Sequence, residues 1–193
     1  MYDVIKFPQF GEYTVFLSYF QGIKKEVLST VKKELVAGNK VYDFCFLNTN
    51  HIISLEHLYS SIYRSISNLE NECMRAKTVN TEIIFNLSPI NNIMDALKRF
   101  GVDESLDKTI VIKIFKTSEV SDEILQSTNR HLLNLLQVDP SQNLKLDDSL
   151  LFELVNIDKF KKIYKLNDAK LGSTDIQAQL TRLAVGACVL RGR

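Results

Sequence analysis

Residues 80–101 read NTEIIFNLSPINNIMDALKRFG, and what they form decides how strands and helices alternate along the chain. The run TEIIFNL (81–87) is apolar with branched and aromatic side chains, a composition that reads as a strand. Pro89 cannot donate to a ladder and biases Ser88 toward extended backbone, so the strand stops there. Asn91 or Asn92 can cap a following helix through its side-chain oxygen. Asp95 suits the start of that helix, Lys98 and Arg99 its end, and Gly101 a left-handed C′ position. Ile93, Leu97 and Phe100 then face a sheet, and the stretch reads as strand, corner and helix.

Outward from there the pattern repeats. YTVFLSYF (13–20) reads as a strand and 23–36 as a helix, with Ile23, Val27, Val31 and Leu35 on one face and Gly38 and Asn39 as its stop. VYDFCFL (41–47) reads as a second strand. Residues 54–74 are the most periodic segment, with Leu55, Leu58, Ile62, Ile66, Leu69 and Cys73 stepping by three and four. TIVIKIF (109–115) is unbroken and apolar, which predicts a central strand. Helix returns over 121–136, and the last third is helical, with Thr174 and Gln177 spaced as a capping box. The fold class is α/β (α+β): a single domain over residues 1–193, with a mixed sheet of four to five strands and about seven helices.

Composition narrows the function. The chain has 193 residues, 45% of them apolar, and a net charge of +1, so global charge selects no partner. Locally the charge is uneven. Residues 102–155 hold ten Asp/Glu against five Lys/Arg, and 156–193 hold eight Lys/Arg against three Asp/Glu, an asymmetry that suits two partners on two faces. The cysteines Cys45, Cys73 and Cys188 are odd in number and scattered, which speaks for a reducing compartment and against a disulfide framework or a zinc site. The longest apolar run near the start, TVFLSYF, is too short for a membrane span, and the reading expects a soluble protein of the cytoplasm and nucleus.

Enzyme constellations are missing from the sequence. The histidines are His51, His57 and His131, with no GxSxG, and His57 reads as a surface or half-buried helix residue. No Gly-rich phosphate loop is present among seven glycines. Glu70 and Glu72 stand two apart on a helix and diverge. The reading is therefore a non-enzyme with no cofactor and no metal. By contrast, the corner at 88–92 offers amide side chains and a helix N-terminus, with Arg75 and Lys77 just upstream. Residues 64–99 carry five cations against four anions, which suits a flexible single strand of nucleic acid better than a duplex backbone.

The stretch TEIIFNLSPINNIMDALKRFG, with CMRAKT before it and KFKKIYKL (159–166) after it, resembles the kinase-binding subunit of the KEOPS (EKC) complex, the PRPK-binding-protein family. LYSSIYRSI in the long helix and LRG near the end add to the similarity, which runs from about Phe7 to Arg191. Ser88, Pro89, Asn91, Asn92, Ala96, Leu97, Phe100 and Gly101 match the central pattern, and Arg75 matches a basic position. Lys77 stands where the pattern carries arginine, and Cys73 where it carries lysine. The resemblance implies a single α/β domain without catalytic activity that docks on a small RIO-like atypical kinase. That kinase contacts the subunit that transfers a threonylcarbamoyl group to an adenosine of ANN-decoding tRNAs. The family subunit also holds the single-stranded CCA end of the tRNA, and a fungal complex of this kind is tied to telomere maintenance and transcription.

On this resemblance the tRNA-binding candidates are Arg64, Arg75, Lys77, Asn91, Asn92 and Lys98. The kinase-binding candidates lie on the C-terminal helix, where small residues let another backbone approach: Ile176, Leu180, Leu183, Ala184, Ala187 and Leu190, followed by Arg191. An apolar patch left over after that helix has packed on its own domain would mark the interface. Two alternatives stand beside this reading: a small-molecule α/β enzyme with its pocket at Ser88–Asn92, and a structural adaptor that binds the kinase alone.

Overall fold

A computed structural model describes residues 1–172 and 174–191. Along the chain lie β1 (Asp3–Ile5), β2 (Tyr13–Phe20), α1 (Lys25–Ala37), β3 (Cys45–Leu47), α2 (Leu55–Glu70), α3 (Val79–Asn86), α4 (Ile93–Phe100), β4 (Thr109–Lys116), α5 (Asp122–Leu136), β5 (Asn143–Leu144), α6 (Asp148–Leu154), α7 (Ile157–Tyr164) and α8 (Ile176–Val189). Contacts gather these elements into two compact units. The first is Met1–Asn48 with Gly101–Leu146, and the second is Thr49–Phe100 with Asp147–Arg193.

The first unit holds the sheet. β2 is buried at every position, and its branched and aromatic side chains fit such a strand. It pairs with β4 over its full length, from Tyr13 opposite Lys116 to Phe20 opposite Thr109. β3 lies on the far edge of β4, so the expected central place of TIVIKIF holds. β1 and β5 share the other edge of β2. The α/β class and five strands stand; every pairing is antiparallel, where alternating strands and helices predict a mixed sheet. Phe16, Phe20, Phe46 and Val111 on one face of the sheet pack with Val27, Leu28 and Val31 of α1 and Leu125, Leu132 and Leu136 of α5. α1 ends at Gly38, left-handed at φ 73° as its expected stop requires.

The second unit is helical among its described residues, and here the opening stretch departs from its reading. Residues 79–86 are helix, not strand. Thr78 caps α3 by accepting from the Thr81 N–H at 3.2 Å. Residues 82 to 86 are all buried, so α3 is covered around its circumference and carries no periodicity that separates helix from strand. The missed signal was the Thr78 cap followed by an acidic Glu82 in the first turn. The corner at 88–92 therefore joins two helices. Asn92 is the residue that caps α4, accepting from the Asp95 N–H at 3.0 Å. Gly101 is not left-handed; it bridges Leu47 as extended backbone. The cap of α8 also shifts by one residue: Asp175, not Thr174, accepts from the Ala178 N–H at 3.2 Å. Among the described residues no helix is long and apolar enough to cross a membrane.

Candidate functional site

The site begins with a buried carboxylate. Glu82 is 0% exposed. Its Oε2 accepts from the backbone N–H groups of Arg75 at 3.0 Å and Ala76 at 2.8 Å, and its Oε1 accepts from Asn68 Nδ2 at 2.7 Å. A charged acceptor met by three N–H donors is a strong arrangement, and it sets the course of the loop between α2 and α3. That loop leaves α2 through Glu72, which is left-handed at φ 52°. With Ala76 buried, Arg75 and Lys77 stand exposed on either side of it.

Two more arginines, Arg64 and Arg191, reach carbonyls at helix ends in this unit. Arg64, half-buried on α2, donates to the Cys188 carbonyl in the last turn of α8 at 2.5 Å. Arg191 lays its guanidinium over the Phe85 ring, 3.7 Å from the centroid. It donates to the carbonyls of Phe85 and of Ser88 (2.8 Å) and to Asn86 Oδ1 at 3.1 Å. Both side chains thus supply donors to carbonyls at helix C-termini, where the macrodipole favours a cation. Burial is the largest cause lowering the pKa of Arg191, and Arg64 follows; Cys188 and Glu82 oppose the shift, and Arg75 adds to it. Arg64 and Arg75 thus both repel the Arg191 guanidinium, while the Glu82 carboxylate, itself engaged by backbone, attracts it.

A buried polar cluster supports the arginines from the protein side. Tyr164 donates to the Leu87 carbonyl at 2.5 Å, and Cys188 Sγ donates to the same oxygen at 3.3 Å. The Tyr164 proton is therefore spent, so His57 carries its proton on Nε2 and donates to the Tyr164 oxygen at 2.8 Å. Among the described residues His57 Nδ1 has no hydrogen-bond partner. His57 is 1% exposed rather than at the surface, and burial lowers its pKa to about 3. Burial also raises Tyr164 well above its ordinary value and Cys188 to about 11. These three groups stay neutral at physiological pH and serve as structure.

The 88–92 corner is a closed turn. Ser88 is 0% exposed, and its hydroxyl accepts from the Ile90 N–H at 3.2 Å and donates to the Ile90 carbonyl at 3.3 Å. A hydroxyl engaged in this way is not presented as a nucleophile. Among the described residues no group of three or more His, Cys, Asp and Glu could hold a metal ion. All three cysteines are free thiols, with Cys73 exposed.

α8 presents a second surface. Leu180, Thr181, Ala184 and Cys188 are buried, and Thr181 Oγ1 bonds Ser54 Oγ at 2.8 Å. Ile176 (40% exposed), Leu183 (40%) and Leu190 (61%) recur every seven residues on the exposed side, with Ala187 half-buried among them. This line lies about 150° around the helix from the Thr181–Cys188 side at 3.6 residues per turn. The apolar arc of α8 is wider than the face it buries.

The family model described as kinase binding protein CGI-121 matches residues 20–192. The chain belongs to the CGI-121 kinase-binding protein family. It is similar to proteins named EKC/KEOPS complex subunit CGI121. The one from Debaryomyces hansenii is 55% identical, covering 100% of this chain and 99% of the relative. The one from Candida albicans is 42% identical, covering 98% of each. The one from Yarrowia lipolytica is 31% identical, covering 97% of this chain and 99% of the relative.

On this CGI-121 chain the sequence candidates are distributed unevenly. Arg64 reaches the last turn of α8, and Arg64 and Arg75 both repel Arg191, which the sequence reading grouped with the kinase face. Lys77 is exposed on the Arg75 loop. Asn91 is exposed at the corner, while the Asn92 oxygen is occupied by the α4 cap. Lys98 is exposed about 9 Å further along α4 at 1.5 Å per residue, away from the corner. Of the kinase candidates, Leu180 and Ala184 are 0% exposed and belong to the core, leaving Ile176, Leu183, Ala187 and Leu190 for a partner. Glu82, Phe85 and the His57–Tyr164 pair were missed, because nothing in their own sequence neighbourhood signals a partner tens of residues away.

Proposed function

We propose that this CGI-121 chain is a non-catalytic accessory subunit of the EKC/KEOPS complex that binds the complex's small RIO-like atypical kinase and the 3′ CCA end of tRNA. Family membership supports the kinase and the complex. The observation that carries the reading is the exposed apolar line of Ile176, Leu183 and Leu190, a surface left over after α8 has packed. The arginines at residues 64, 75 and 191 supply the anion site for the RNA end. The chain makes and breaks no bonds. Holding the tRNA tail raises the effective concentration of the rest of the tRNA at the threonylcarbamoyl-transferase subunit, which is reached through the kinase, and so promotes t6A formation. We assign the protein to cytoplasm and nucleus, and the telomere and transcription roles to the complex it joins.

The test is binding of the purified chain to the kinase. Leu183→Glu places a charge in the exposed line and is expected to weaken the kinase complex at least tenfold, about 1.4 kcal/mol, with tRNA affinity and melting temperature unchanged. Wild-type affinity in that variant would remove α8 as the docking face. Charge reversal at both Arg75 and Lys77 is expected to weaken tRNA binding roughly tenfold and flatten its salt dependence by one to two phosphate contacts, about 0.7 in log–log slope each, leaving the kinase complex intact. If removal of the CCA end leaves tRNA affinity unchanged, the chain is the kinase-only adaptor instead.

A further inference from the structure

A second strongly charged surface lies on α7. Phe160, Ile163 and Tyr164 are its buried side. Lys159, Lys162 and Lys165 are exposed, spaced three apart, and Lys161 is half-exposed. None of these four ammonium groups has an ion-pair or hydrogen-bond partner among the described residues. The helix dipole accounts for Lys161, Lys162 and Lys165, which lie at the negative end. It does not account for Lys159, which sits in the first turn, where a cation is disfavoured. Nor does it offset the repulsion between lysines three and four apart. Asp158 in the first turn is the one acidic residue of α7, against Lys159, Lys161 and Lys162 within the helix and Lys165 at its C-cap.

The edge is also rigidly tied to the arginine site. Tyr164, in the last turn of α7, donates to the Leu87 carbonyl, and the next carbonyl along, that of Ser88, accepts from Arg191. T-shaped contact of Phe160 with His57, 5.8 Å between centroids, fixes the first half of the helix. The buried side of α7 and Arg191 thus meet one two-residue turn, with the lysines on the opposite, exposed side of α7.

We propose that Lys159, Lys162 and Lys165 form a second polyanion contact, distinct from the site for the single-stranded tail, that takes the sugar–phosphate backbone of the RNA duplex from which the tail emerges. This rests on the reading of the arginine site as the tail site. Exposed lysines act as mobile point charges, suited to a regular array of phosphates and to sequence-independent attraction.

The experiment compares Lys159→Glu/Lys162→Glu/Lys165→Glu with the unmutated chain, by fluorescence anisotropy across a salt series. One probe is a full-length tRNA transcript and the other a short single strand ending in CCA. The triple variant is expected to bind the transcript at least tenfold more weakly, with a log–log salt slope shallower by about 2 to 3. Its affinity for the short strand should match that of the unmutated chain, with an unchanged circular-dichroism melt. The neutral triple Lys→Gln variant should show the same selectivity with a smaller loss, guarding against misfolding of the charge reversal. Wild-type affinity for the transcript in both variants overturns the proposal. Equal loss on both probes overturns it too, since the lysines would then belong to the tail site. An unmutated chain that binds neither probe sinks the parent reading instead. If the unmutated chain binds the transcript no better than the short strand, and acidic peptide displaces neither, the duplex contact is again overturned.

Discussion

Glu82→Ala is expected to lower folding stability by about 4 kcal/mol, the largest effect of any single substitution near the site. The alanine would leave the N–H groups of Arg75 and Ala76 and the Asn68 amide without the acceptor they now share. Stranding a buried donor such as the Ala76 N–H costs about 1 to 3 kcal/mol, the two part-buried donors add less each, and a charged acceptor raises the stake. Because the same bonds shape the Arg75–Lys77 loop, tRNA affinity should fall in parallel. Glu82→Gln keeps the shape and one acceptor, and rotation of the Asn68 amide can restore the third bond, so it should recover about half of the loss. Urea denaturation of the three proteins reads this out. An alanine variant within 1 kcal/mol of the unmutated chain would show that the buried carboxylate does not organise the loop.

The second large effect is acid destabilisation through His57. Its pKa is about 3 in the folded chain against an ordinary 6.5, with burial as the cause. The unfolded chain therefore binds a proton that the native state refuses. The stabilising contribution is intact above pH 6.5 and is lost progressively as the pH falls toward 3. At about 1.4 kcal/mol per pH unit, the loss between pH 7 and pH 5 is about 2 kcal/mol. His57→Gln removes the titrating group, so the slope of stability against pH over that interval should flatten by nearly one proton, whatever the variant's absolute stability. A slope equal to that of the unmutated chain would place the acid sensitivity elsewhere. His51 and His131 are common to both proteins and cancel in the difference.

Much of the fold was legible in the sequence because most segments are half-buried, and half-burial writes a period. α1 and α2 show stripes at three- and four-residue steps, α1 with a glycine stop at its end, and the structure places them accordingly. β2 and β4 are apolar runs too, and their branched and aromatic content sufficed. α3 is where this failed. A helix buried on all sides has the same apolar run as a buried strand, and only its neighbours decide which hydrogen bonds it makes. The corner after it kept its chemistry, with Ser88, Pro89 and Asn92 ending one element and capping the next, although both elements are helices.

The site divides along the same line. Arg75, Lys77 and the C-terminal helix were readable as basic and amphipathic features, and the resemblance to a kinase-binding family was carried by contiguous residues. Sequence could not separate Leu180 and Ala184 from Leu183 and Leu190, because a stripe identifies an apolar arc and not the part of it that a neighbour covers. It also could not bring Arg191 to Phe85, 106 residues away, or Tyr164 to Leu87, 77 residues away. By itself the sequence determined the family, the class of fold and the local chemistry of each turn and cap, all of which depend on residues close together in the chain. Tertiary structure alone decided the identity of α3, the exposed half of α8 and the docking of Arg191 on Phe85 and the Ser88 carbonyl. Each of these depends on which distant groups exclude water from one another, and no local pattern records that.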